Sequence, residues 1–232
     1  MLSTDEIKEQ LGREAAQLVK QGMIIGIGSG STVFYFINAL AERIRNGIEC
    51  TAVPTSEQTR LLAAQKNIKL LTLNGITVID LTIDGADEID QQLHIIKGGG
   101  GALLQEKMVA AASKQVVIIA DHTKLVAQTG YSPLPVEVIP YGWKQVQHHI
   151  EQTHNIKIEL RKKNNQPFIT DHGHYILDCY FQQIADPAAL NISLHLIPGI
   201  VETGLFINMA DMAIIGYPDS SFRRLRVERN KK

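Results

Sequence analysis

The stretch from Asp84 to Lys107, DGADEIDQQLHIIKGGGGALLQEK, gathers two spaced acids (Asp84 and Asp87), a lysine (Lys97), four consecutive glycines (Gly98 to Gly101) and a glutamate (Glu106). One carboxylate can act as a base and a second acid can manage an oxygen-bound proton. A cation and exposed backbone N–H groups can hold a developing oxyanion. Those are the parts needed to move protons on a small anionic substrate. Four glycines lose much conformational freedom on folding, so backbone brought close to a ligand explains them better than a flexible turn does. In D-G-A-D, Gly85 permits a sharp turn and Asp readily caps its own backbone; Asp84, at a strand end, is the stronger catalytic candidate. Glu106 is expected in the second turn of the helix after the glycines. Taken alone it reads as a helix-surface partner for basic neighbours, and its meaning comes from the loop beside it.

Two more segments complete the candidate site. Gly28-Ser29-Gly30-Ser31-Thr32 follows a short apolar run and precedes the helix-like VFYFINALAERI. It lacks both the third glycine of a dinucleotide fingerprint and the G-K-[ST] of a P-loop. What remains is a strand-to-helix loop with free N–H groups and the hydroxyls of Ser29, Ser31 and Thr32, suited to a single phosphate. Asp121 to Lys124 follows the run VVIIA, which places Lys124 at a third strand end, where it can reach phosphate or sugar oxygens. Ligands of α/β sheets collect outside the carboxyl ends of strands, so the three loops should converge.

A metal site is not expected. Asp84, Asp87, Glu88 and Asp90 are oxygen-rich, but they lack EF-hand spacing and Lys97 would compete with a cation. The eight histidines are scattered, with His148-His149 in a helix and His172-Gly173-His174 at a hairpin turn, and none is taken as a ligand. Cys50 and Cys179 stand far apart, outside any C-x-x-C, which argues against a disulfide framework.

Composition agrees with an ordinary globular chain that can bury a sizeable core. Hydrophobic residues are 44% and charged residues 20% of the 232, and 23 basic against 24 acidic side chains give a formal charge of −1. Nothing there attracts nucleic acid or an anionic membrane. Apolar runs fall far short of the roughly 20 residues that span a bilayer. The opening MLSTDEIKEQLG lacks a signal-peptide pattern, so a cytoplasmic location is expected.

The elements that must hold these loops alternate. A helix is expected from Thr4 to Gln21, capped by Ser3, Thr4 or Asp5, because Ile7, Leu11, Ala15 and Leu18 recur at helical spacing. Apolar runs at Met23 to Ile27, Thr51 to Pro54, Ile79 to Ile83 and Val116 to Ala120, separated by helical stretches, predict a mostly parallel sheet. Beyond Pro133-Leu134-Pro135 the order becomes strand Val136 to Ile139, helix Trp143 to Thr153, strand Ile156 to Arg161, strand His174 to Phe181, helix Pro187 to His195 and strand Val201 to Ile207. That is the βαββαβ ferredoxin-like order. Met212 to Gly216 rejoins the first sheet. The expected fold is therefore α/β, a Rossmann-like domain (1–131 and 208–232) with an inserted ferredoxin-like domain (132–207). The tail SFRRLRVERNKK is expected to be partly solvated.

With these residues in view, the chain resembles the type A ribose-5-phosphate isomerase family over nearly its full length. The resemblance rests on GIGSGSTV, PTSEQT, DGADEID, KGGGGALLQEK, IADHTK, PLPVEVIP, PGIVETGLF and DMAIIG. It implies interconversion of ribose 5-phosphate and ribulose 5-phosphate in the non-oxidative pentose phosphate pathway, without metal or organic cofactor, by a homodimer. Glu106 matches the general base that moves a proton between C2 and C1 through an enediolate. Asp84, Asp87 and Lys97 match the other catalytic groups. Ser29, Gly30, Ser31, Thr32 and Lys124, with Gly85, Ala86, Gly98, Gly99 and Gly100, match substrate-binding positions. The fourth glycine, where the family more often has alanine, is a small departure. A sugar-phosphate sensor would share the fold without needing Glu106 beside Lys97, and an amino-sugar phosphate deaminase or acyl-CoA transferase would need different acid/base groups.

Overall fold

The computed structural model describes residues 1–227. In chain order the first half forms α1 (Thr4–Ala16), β1 (Ile24–Ile27), α2 (Ser31–Arg45), β2 (Thr51–Pro54), α3 (Glu57–Gln65), β3 (Leu81–Asp84), β4 (Glu88–Ile89), β5 (Ile95–Ile96), α4 (Leu103–Ala111) and β6 (Val116–Asp121). There follow β7 (Leu134–Val138), α5 (Trp143–His154), β8 (Lys157–Leu160), β9 (Lys162–Lys163), β10 (Gln166–Pro167), β11 (Tyr175–Tyr180), α6 (Pro187–His195), β12 (Ile200–Thr203), β13 (Leu205–Phe206), β14 (Met212–Gly216) and β15 (Phe222–Arg226). The larger sheet has the order β15-β14-β6-β3-β1-β2. Its first five strands in sequence run parallel and only β15 is antiparallel. The fold is α/β with a mostly parallel central sheet. From β1 the order proceeds to β2 on one side and β3 on the other, so the topological switch point lies between β1 and β3.

Helical periodicity explains the covering layer. Ile7, Leu11 and Ala15 of α1 and Phe36, Ile37 and Leu40 of α2 are buried against Ile25, Ile27 and Ile83 of the sheet; each Leu, Ile or Phe among them contributes roughly 1.5–3 kcal/mol. Helix α1 begins with a capping box between Ser3 and Glu6. It stops at Ala16 rather than Gln21, because the Arg43 guanidinium takes the carbonyls of Ala16 and Val19, and Gly22, at φ +78°, turns the chain into β1.

The second sheet, β12-β7-β11-β8, is antiparallel throughout and has ferredoxin-like order. Helices α5 and α6 cover one face, where Val146, Ile150, Leu190 and Leu194 meet Leu134, Val136, Val138 and Leu177. Strand β7 begins two residues earlier than the sequence pattern suggests, with Pro135 inside it. Three further differences have physical causes. Strands β9 and β10 form an unexpected hairpin whose turn residues, Asn164 and Asn165, adopt φ of 53° and 62°, the primed-turn geometry that asparagine tolerates. The expected strand from Val201 to Ile207 divides at Gly204: β12 stays in the second sheet, whereas β13 pairs with β5 in a small sheet that also holds β4. A Cβ at Gly204 would lie 2.3 Å from the Lys97 carbonyl, so only glycine lets the chain cross there. Finally, Phe222–Arg226, in the tail expected to be partly solvated, forms the antiparallel edge strand on β14 with Arg223, Arg224 and Arg226 exposed; the rest of that tail, from 228, lies outside the described residues. No described helix is long and apolar enough to cross a membrane.

Candidate active site

Strand β3 ends at the switch point on Asp84, which is 2% exposed. Its Oδ1 accepts the Gly85 N–H at 2.7 Å and the Ser29 N–H at 3.2 Å, tying the β1 loop to the end of β3. Gly28 makes this approach feasible, because a Cβ there would fall 1.9 Å from the same oxygen. Lys97 leaves β5 and points back into the group. Its Nζ lies 2.9 Å from Asp84 Oδ1 and 3.3 Å from Glu106 Oε1, and donates to the Gly85 carbonyl at 2.7 Å. Glu106 stands in the first turn of α4, one turn earlier than expected, since the glycine loop runs to Gly101 and the helix starts at Leu103. It is 4% exposed, and its Oε2 is buried without a hydrogen-bond partner.

The charges explain the protonation behaviour. Burial raises the Glu106 carboxyl to about 8, opposed by Lys97 and reinforced by Asp84. Burial likewise raises Asp84, with Lys97 and the two N–H donors pulling it down. For Lys97 burial pulls down, but Asp84 and Glu106 outweigh it and keep the ammonium charged above its ordinary range. Two buried carboxyls thus share one buried cation, and burial pushes both toward their protonated forms.

In front of this cluster lies a cavity of about 180 Å³. Ser29, Gly30, Ser31, Thr32, Gly85, Ala86, Asp87, Lys97, Gly98, Gly99, Gly100, Glu106 and Lys124 line it. Of the expected site residues, Asp84 alone is absent from the wall, being packed behind Lys97. Asp87 is on the wall, with Oδ2 accepting the Gly99 N–H at 2.8 Å. The Ser29 hydroxyl turns into a cluster with Thr55, Ser56 and Thr59 at 2.8–3.1 Å, which explains PTSEQT as a support for the loop. Helix α2 opens on Gly30, at φ +103°, without a side-chain cap. Its first N–H groups are therefore available to an anion. Of the acidic run, Glu88 accepts from the backbone of Gly130 and Ser132, and Asp90 from Gln92 and His94. Those two acids are thus spent on loop structure, away from Asp84 and Asp87. A larger apolar groove, of about 820 Å³ between α3 and α4, contains none of the Lys97 cluster.

Two wall residues go beyond the expected set. Lys8 reaches the cavity from α1, its side chain only 17% exposed; nothing local marks it, because it arrives by docking of a helix. Asp121 ends β6 and caps Thr123, presenting the turn that carries Lys124. The strand-end rule reaches that loop, but the acid within it is told from a turn former only in three dimensions. The cavity thus has a cationic end, with Lys8, Lys124 and the α2 N-terminus, and an acid/base end at Glu106.

Comparison with known proteins identifies the family. Residues 51–220 match the family model of ribose 5-phosphate isomerase A (phosphoriboisomerase A). A ribose-5-phosphate isomerase A of Bacillus cereus is 56% identical over 211 residues, covering 90% of this chain and 96% of that protein. Another, from Gloeobacter violaceus, is 48% identical over 92% and 94%. Among solved structures, a D-ribose-5-phosphate isomerase in complex with phospho-erythronic acid superposes with a TM-score of 0.94 at 37% identity, covering 97% of this chain and all of that one. The isomerase of Methanocaldococcus jannaschii gives 0.91 at 36%, with 97% and all covered. Matched across most of its length by both sequence and structure, the chain belongs to the ribose 5-phosphate isomerase A family.

Proposed function

We propose that this protein interconverts D-ribose 5-phosphate and D-ribulose 5-phosphate, with Glu106 as the base that carries the proton between C2 and C1. The observation that carries the reading is the unpartnered buried Oε2 of Glu106 beside Lys97, in a cavity whose far end presents a free helix N-terminus. The phosphate sits against the N–H groups and hydroxyls of Gly30 to Thr32 with Lys8 and Lys124. Such an anchor fixes the sugar's length along the cavity and directs its first two carbons toward Glu106. Ionised Glu106 takes the C2 proton of the open-chain aldose, and Lys97 with the glycine-loop N–H groups holds the enediolate oxygen. Glu106 then returns the proton to C1. Asp87, on the wall, handles the proton on the sugar oxygen, while Asp84 behind it keeps Lys97 charged and aimed. Positioned proton transfer contributes about 10²–10⁴ in rate, and oxyanion contacts much of the remainder.

No metal or organic cofactor enters the scheme. A homodimer in the cytoplasm, built from a catalytic unit of 1–131 with 208–232 and an inserted unit of 132–207, completes the proposal. Incubation with ribose 5-phosphate in D₂O tests it: ribulose 5-phosphate should form, with deuterium at C1 to the extent that the proton on Glu106 exchanges with solvent before it is returned. Absence of ribulose 5-phosphate defeats the function; wild-type turnover in Glu106→Gln defeats the base.

A further inference from the structure

The glycine loop is the part of the site least able to hold itself, yet its peptides are arrayed in one sense. Gly98 and Gly101 adopt φ of +107° and +83°, and the Gly98 carbonyl accepts the Gly101 N–H at 2.9 Å. Around the outside of this turn lies one guanidinium from the other sheet. Arg161, between β8 and β9, donates from Nη1 to the Gly98 carbonyl at 2.6 Å and the Gly99 carbonyl at 3.1 Å. Its other edge grips Asp178 of β11, with Nε to Oδ2 at 3.0 Å and Nη2 to Oδ1 at 2.5 Å. The pair is largely buried, at 15% and 14% side-chain exposure, and neither residue lines the cavity. Main-chain bonds from Arg161 N–H to Ile176 and from Phe168 N–H to Arg161 fix the arginine within its sheet.

In a planar trans peptide the carbonyl and the N–H point in opposite directions. A donor that holds the carbonyls of Gly98 and Gly99 from one side therefore aims the N–H groups of Gly99 and Gly100 to the other. The Gly99 N–H meets Asp87. That of Gly100 has no partner among the described residues, and Gly100 lines the cavity. Only a planar fork can satisfy a carboxylate on one edge and two carbonyls on another; an ammonium cannot.

We propose that Arg161, fixed by Asp178, is a positioning residue for the isomerisation. It sets the Gly98–Gly100 peptides so that the Gly100 N–H meets the sugar oxygen that gains charge in the enediolate. The proposal rests on the isomerase reading above. Arg161→Ala should lower kcat by about 10–100-fold, the range below complete loss of an oxyanion donor. KM should stay within about three-fold, because the phosphate anchor is untouched. Inhibition by inorganic phosphate should be unchanged, whereas inhibition by phospho-erythronic acid, whose carboxylate mimics the enediolate oxygens, should weaken in step with kcat/KM. Added ethylguanidinium should restore part of kcat. Arg161→Lys, which retains the charge, should remain folded and still lose kcat, and it serves if the alanine variant does not fold. Wild-type kcat in Arg161→Lys or Arg161→Ala would overturn the proposal, as would equal weakening of both inhibitors. A wild-type protein that does not turn over ribose 5-phosphate fails before any variant is made, and then the isomerase reading falls together with this proposal.

Discussion

Asp84 and Glu106 share the single buried cation Lys97, so ionising both carboxyls leaves one buried negative charge uncompensated. The folded Glu106 carboxyl titrates at about 8 against an ordinary 4.5, so between those values the native state holds a proton that the unfolded chain has released. Stability contributed by this group is complete below about 4.5 and is lost as pH rises through about 8. Catalysis runs the opposite way, since a base must be ionised to act. In the free enzyme, kcat/KM should fall on the acid side with an apparent pKa near 8, measured with phosphate-free buffers across the range; a flat profile down to about pH 5 would contradict that protonation scheme. Glu106→Gln separates the two effects. It should reduce kcat by about 10³-fold or more while leaving substrate affinity nearly unchanged. The same variant should gain in melting temperature over the wild type as pH rises from 5 to 9, since only the wild type loses stability through about 8. On the proposed reading, the form of Glu106 that acts as base is the form that opposes the fold.

The elements place such residues by bringing three strand ends into register, and the tolerances are tight. Gly28 at the end of β1 lies against the Asp84 carboxylate, with no room for a methyl group. Gly28→Ala should cost about 1–3 kcal/mol by overpacking. Because the displaced carboxylate is the partner of Lys97, kcat should fall by about 100-fold even at temperatures where the variant is fully folded, read by steady-state rates beside a melting curve. This level was the most legible in the sequence. Alternation of apolar runs and helices indicates a parallel sheet, and a parallel sheet puts ligands at its carboxyl ends, so the loops at Gly28, Asp84 and Lys124 are found without coordinates. What local pattern could not show depends on docking or side-chain direction. Lys8 is one turn of an ordinary amphipathic helix until α1 packs on the sheet. The Ser29 hydroxyl looks like a phosphate ligand, yet it turns inward to Thr55, Ser56 and Thr59. Arg161 and Asp178 read as alternating strand polars, and their grip on the glycine loop exists only between the two sheets. The break at Gly204 is invisible to periodicity because the stretch from Ile200 to Phe206 reads as one extended run; what separates β12 from β13 is the proximity of the Lys97 carbonyl.

Those inter-sheet contacts bear on whether the molecule behaves as two units or one. Ile96 of β5 is buried in the core beneath α5 and α6, while Ile176 of β11 is buried with Leu103 of α4 and with Ile118 and Ala213 of the first sheet. Each core therefore contains side chains supplied by the other half. Polar bonds follow the same path: Lys107, beside Glu106 in α4, donates to Glu202 and the Thr203 carbonyl at 2.7 Å and to the Leu205 carbonyl at 2.8 Å. Its ammonium also stands 4.9 Å from the centre of the Phe206 ring, which faces Lys97 at 5.7 Å. Burial lowers the Lys107 ammonium and Glu202 opposes that shift. If the halves unfolded separately, each would expose the apolar residues it lends to the other, and the first to leave would destabilise the second. A single transition is expected despite the division into two sheets. Trp143, the one tryptophan, lies on α5 and packs edge-on to Tyr175, 6.4 Å away, so its fluorescence reports the second sheet alone. Circular dichroism in the far ultraviolet reports all the helices. Urea titrations followed by the two signals should coincide in midpoint and slope, and a bound phosphorylated inhibitor should move both by the same amount although it touches chiefly the first sheet. A tryptophan transition at lower urea would mean that the second sheet opens by itself, and the grip of Arg161 on the glycine loop would then be lost before the fold that carries Glu106.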